Sequence, residues 1–234
     1  MKYVIAIFLS LLLTSDSKSQ TTSYPFYQLY QLDSIGKCSS ITRHFGELYF
    51  QFLQRVEEQL DNADTTTKRL VRNFEAVFAQ FYIDACIAYE NHSQVPLPAW
   101  RGYFTNASLK PDQYKLLGTN AHLNGGLAEA IAHSYTPEEW KSLKKKYVLF
   151  NICLNTTYHQ LRKETIRSNK KARTISVLTL GLDKMIGQYY LYKWRKRQMR
   201  LTEYYFAGSP KYNKLLNKVN RKKERIDKMV CNQL

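Results

Sequence analysis

Glycine and proline are scarce in this 234-residue chain, at nine and six residues. A sandwich or barrel of many short strands needs more turn-forming residues than that. Acidic side chains are also few, 19 against 35 Lys and Arg. The four cysteines, Cys38, Cys86, Cys153 and Cys231, match no zinc-ligand spacing. Neither H-E-x-x-H, G-x-S-x-G, a phosphate loop nor a dinucleotide fingerprint occurs, which removes the motif-defined metalloproteases, α/β-hydrolases and nucleotide-binding enzymes from consideration. After the first 20 residues no apolar run approaches the roughly 18 residues that a membrane-spanning helix needs.

The one notable apolar run is at the start. MKYVIAIFLSLLLTSDSKSQ has one Lys, an apolar stretch from Val4 to Leu13, then small and polar residues with Ser17-Lys18-Ser19 before Gln20. This is the form of a secretory signal peptide, residues 1–19, and predicts export to the periplasm or the extracellular space. In an oxidising compartment the cysteines can form two disulfides in any of three pairings; Cys86 and Cys153, in apolar helical surroundings, equally suit free buried thiols.

What the chain has in quantity is aromatic residues, 18 Tyr and 11 Phe, and apolar residues at three- and four-residue steps. Ile41, Phe45, Leu48, Phe52, Val56 and Leu60 predict one amphipathic helix, and Leu70, Phe74, Val77 and Phe81 a second. Pro96 and Pro98 mark a loop, followed by a short aromatic segment from Trp100 to Phe104. Thr136-Pro137-Glu138-Glu139 reads as a helix start, with Thr as N-cap and Pro in the first turn, and the helix is expected to run to about Arg167. Further helices are expected over 174–205 and 211–230. The fold class is all-α: one helical domain over residues 20–207, then a basic C-terminal helix over 208–234, about six helices in all.

The stretch Leu116 to His133, LLGTNAHLNGGLAEAIAH, organises the reading. On a helix at about 100° per residue, Leu116, Leu123, Leu127 and Ile131 share one face, with Asn120 and Asn124 in its middle. A buried amide without partners costs about 1–3 kcal/mol, so these two must bond each other, a neighbouring helix, water or a ligand. Gly118, His122, Gly125, Gly126, Glu129 and His133 fall on the opposite side, and glycines in a helix interior suggest close approach of another element or a break in the helix.

This order of motifs resembles an uncharacterised bacterial domain-of-unknown-function family with an LLGxNAHxNxxL core, here Leu116 to Leu127. VFAQFYIDACIAY from Val77 to Tyr89, Pro98-Ala99-Trp100-Arg101 and the later Asn151 resemble its flanking features, over roughly residues 40 to 205. The resemblance implies a shared helical fold and no activity. Members commonly carry an acid where this chain has Gly126, which weakens any metal site built on that position.

Two functions of different kinds follow. One is a small-molecule or metal site in a helical bundle, lined by Asp84, Asn120, Asn124 and Asn151, with His122 as catalytic acid or base; a metal would need further ligands such as Glu75, Asp84 or His159. The other is a non-enzymatic envelope protein that binds an anionic membrane or polyanion. Residues 136–234 carry 24 Lys and Arg against 7 acids, whereas 21–135 carry 9 against 11, so the anionic partner is expected at the C-terminal half, above all at the basic helix from Lys211. Nucleic acid is not expected as the partner.

Overall fold

The computed structural model describes residues 27–106, 108–144, 148–168, 170 and 182–233. The signal-peptide expectation for residues 1–19 lies outside the described residues. Among the described residues all regular structure is helical. Among the described residues the helices number nine when a continuous run through the middle of the chain is taken as one, against about six expected. One was hidden, the short aromatic segment at Trp100 proves to be a helix, the helix expected from Thr136 is described as two, and one starts earlier than its apolar pattern suggests.

The hidden helix, α1 (Tyr27–Lys37), buries only Leu29, Leu32 and Ile35 among Tyr and Gln, a weak apolar signal. It lies close against α2 (Thr42–Leu60). A Cβ on Gly46 would sit 2.7 Å from Ile35 Cγ2, and one on Gly36 3.2 Å from Glu47 Cα, so the missing side chains set the approach distance. Helix α3 (Thr65–Glu90) begins at Asp64, whose carboxylate accepts from Thr67 N at 2.8 Å, an N-cap. The short α4 (Pro98–Phe104) buries Trp100, Tyr103 and Phe104.

Helix α5 has three parts: Pro111–Thr119, a π-helical turn Asn120–Gly126, and Leu127–Ser134. It starts at Pro111 rather than Leu116, because proline is well suited to a first helical turn, where its missing N–H is not needed. The Thr136 expectation holds: Glu139 N donates to Thr136 Oγ1 at 3.2 Å and Thr136 N to Glu139 Oε2 at 3.1 Å, which caps α6 (Pro137–Leu143). The expected long helix is described as α6 and α7 (Val148–Ser168), with 145–147 outside the described residues. Helix α8 (Leu182–Phe206) turns through Gly208, at φ +57°, into α9 (Lys211–Gln233).

Helix α5 is the axis of the molecule. Helices α2 and α3 pack along one side, and α4, α8 and α9 close the others, which is why nearly every residue from Tyr114 to Ile131 is buried or half-buried. Most of the apolar stripe of α9 is docked: Val219 and Val230 are buried and Ile226 is partly covered, while Met229 is exposed. No described helix is long and apolar enough to cross a membrane. All four cysteines are free thiols, Cys86 and Cys153 buried, and burial pushes the Cys153 thiol up to about 11.

Candidate functional site

The π turn is where the site begins. In an α-helix the N–H of Ala128 would donate to the C=O of Asn124, four residues back. Here the carboxamide of Gln198, from α8, stands between them. Its Oε1 accepts from Ala128 N at 3.1 Å and its Nε2 donates to Asn124 O at 2.5 Å. A side chain inserted into the backbone ladder is one recognised cause of local helix distortion, and Gln198 is fully buried while doing so.

On one flank of this turn the two asparagines meet α9. Asn124 Nδ2 donates to Asn120 Oδ1 at 3.1 Å, and Asn120 Nδ2 donates both to Lys223 O at 3.0 Å and to Asp227 Oδ1 at 2.8 Å. Asp227 in turn holds the Lys223 ammonium at 2.6 Å, both residues being buried. The expected pairing of the amides with each other and with a neighbouring helix is therefore present. Asn124 Oδ1 is buried without a hydrogen-bond partner.

On the other flank His122 enters a box of rings. Phe78 stacks on the imidazole at 3.4 Å between centroids, Tyr49 meets it edge-on at 4.3 Å, and Phe45 and Trp100 lie at 5.6 and 6.2 Å. His122 is 5% exposed, and neither Nδ1 nor Nε2 has a hydrogen-bond partner. Burial holds its imidazole well below the usual 6.5, so the ring is neutral at neutral pH.

Beside the box lies Glu75 of α3, also buried. Tyr49, whose ring meets His122, donates its hydroxyl to Glu75 Oε2 at 3.3 Å. Burial pushes the carboxyl up to about 8, while that hydrogen bond and the charge of Arg195 on α8 act in the opposite direction. Near neutral pH the site therefore holds a neutral base and a mostly protonated acid, with a phenol between them.

Three of the residues expected from the sequence are thus brought together around the π turn: Asn120, His122 and Asn124. Asp84 is not among them. It is exposed on α3 and accepts from Gln80 Nε2 at 2.8 Å, because a helical step of nine residues from Glu75 turns the side chain to the solvent side. Asn151 lies on α7, and its side chain is outside the described residues. His159 bonds Gln188 Nε2 at 3.1 Å, between α7 and α8. Among the described residues no three His, Cys, Asp or Glu side chains are grouped to hold a metal ion.

Sequence reasoning missed Tyr49, Gln198, Lys223 and Asp227. Tyr49 belongs to an aromatic-rich helix in which nothing marks one ring above another. Lys223 and Asp227 do carry a signal: an i, i+4 pair on the same face as Val219 and Ile226, hence turned toward the apolar side of the helix.

Neither curated proteins nor solved structures gave a match to this chain. A family model of unknown function matches residues 29–233. That range takes in every described helix except the first two residues of α1, and it includes α9, which lies beyond the stretch of roughly residues 40 to 205 that carries the sequence resemblance. The chain belongs to DUF5995, a family of unknown function, and in this member the centre of the fold is the π turn that carries Asn120, His122 and Asn124.

Proposed function

We propose that this protein is exported and binds a small uncharged molecule in its core, at His122. The observation that carries the reading is the pair of buried imidazole nitrogens with no hydrogen-bond partner. Each such group costs about 1–3 kcal/mol in a folded protein. A ligand offering a donor and an acceptor recovers that cost, and the surrounding rings of Phe45, Tyr49, Phe78 and Trp100 supply apolar walls. The protonation states at neutral pH favour an uncharged ligand over an ion. They also suit proton transfer, with neutral His122 as the acceptor.

The test replaces His122 with Phe, which keeps a planar ring and removes both unpaired nitrogens. Wild-type protein purified under native conditions, then denatured, is expected to release a small molecule detectable by mass spectrometry. His122→Phe is expected to release none while melting at a higher temperature than ligand-free wild type. If the wild type releases nothing, and a fragment screen leaves the His122 ring resonances unmoved, the ligand reading is lost.

A further inference from the structure

Helices α8 and α9 form an antiparallel pair through the short turn at Gly208 and pack against each other. Between Lys184 and Thr202 the chain has no acid, and between Lys211 and Lys223 none either. Lys193, Lys196, Lys218, Arg221 and Arg225 are exposed, and Arg197 and Lys222 are half-buried. These cations gather across the two helices. The Lys222 ammonium is held below its usual value, first by Arg197, then by its own partial burial and by Lys218, Lys193 and Arg225.

Large apolar and phenolic side chains stand beside them. Met185, Tyr189, Tyr190 and Tyr192 are each at least half exposed, and the steps 185, 189, 192 and 196 keep Met185, Tyr189, Tyr192 and Lys196 on one face of α8. Lys193 Nζ lies 5.0 Å over the Tyr189 ring and donates to its hydroxyl at 3.1 Å, and Lys196 Nζ lies 5.9 Å over Tyr192.

We propose that the outer face of the α8–α9 pair is a docking surface for an anionic lipid bilayer. Tyrosines with one apolar and one polar end favour the headgroup boundary, and lysine stems extend over apolar surface while the ammonium reaches phosphate. A polyanionic chain would use the cations but would have no use for exposed Met185. The contact is peripheral. Val219, Ile226 and Val230 of α9 are already committed to the core, so α9 does not lie in the bilayer as a free amphipathic helix; α8 supplies most of the apolar contact and both helices the charge.

The experiment is cosedimentation of the full chain with vesicles of phosphatidylcholine alone or mixed with phosphatidylglycerol, at low and high salt. Binding is expected only with the anionic lipid and to weaken with salt. Lys193→Ala and Lys222→Ala are each expected to lower partitioning about fivefold, and the combined change of Met185, Tyr189 and Tyr192 to Ser to lower it at unchanged charge. Thermal unfolding by circular dichroism checks that each variant folds. Equal binding to neutral vesicles overturns the proposal, as does indifference to the Lys changes. Binding to heparin or DNA without binding to anionic vesicles overturns it in favour of a polyanion.

Discussion

Glu75 and His122 give the folded protein opposite pH dependences. The Glu75 carboxyl titrates at about 8 in the fold against an ordinary 4.5, so between those values the unfolded chain loses a proton that the native state keeps. Its contribution to stability is fully present below pH 4.5 and is lost as pH rises toward 8. His122, held well below 6.5, works the other way. Below pH 6.5 the unfolded chain takes up a proton that the native ring refuses, and stability falls with pH. From 4.5 to 6.5 the two slopes oppose each other, so together they predict a plateau there with a decline on either side. Urea denaturation across pH 4 to 9 reads it. Glu75→Gln is expected to flatten the alkaline decline, a difference on the order of a few kcal/mol at pH 8, and His122→Phe to flatten the acid one. An alkaline limb identical in Glu75→Gln and wild type would show that Glu75 is not the group responsible. The sequence marked His122 through its setting among glycines and amides, but gave no sign that its nitrogens would face rings. Which ring lies opposite a histidine depends on how α2, α3 and α4 cross α5, and that is a tertiary fact.

At the scale of the helix, α5 depends on a residue far along the chain. Gln198 fills the place of one backbone hydrogen bond with two of its own. Gln198→Leu keeps most of the volume but leaves Asn124 C=O and Ala128 N–H without this partner, and is expected to lower stability by about 2 kcal/mol or more, measured by chemical denaturation. A smaller loss, with the turn shown by NMR to have closed into α-helix, would mean that Gln198 accommodates the π geometry rather than causing it. The glycines of this helix were visible in the sequence as a sign of close approach, and two of them are. A Cβ on Gly118 would overlap the Phe45 ring, and one on Gly125 would lie 2.6 Å from Ala99 Cβ. Gly126 is different, since a Cβ there meets nothing nearer than 3.5 Å. The π turn itself was not legible, because periodicity assumes a fixed angle per residue and the inserted amide comes from 70 residues away.

For the molecule as a whole, the charge asymmetry was plain in the sequence, while the division of labour between α8 and α9 was not. A stripe of Leu, Val, Ile and Met amid cations reads the same whether it meets a membrane or the rest of the protein. The buried Lys223–Asp227 pair decides in favour of the protein, and Asp227 also anchors Asn120. Asp227→Ala leaves the Lys223 ammonium buried and unpaired, and is expected to cost about 3–5 kcal/mol, read as a lowered urea midpoint. A loss under about 1 kcal/mol would mean that Lys223 swings out to solvent. The enclosure of α5 also has a consequence for how the chain is made. The helices that cover its His122 flank, α2, α3 and α4, precede it, whereas α8 and α9, which supply Gln198, Lys223 and Asp227, follow it. The first 135 residues alone would therefore hold a central helix with one side open, Asn120 lacking Lys223 and Asp227 and the π turn lacking Gln198. Native packing of the centre must wait for the last helix, α9.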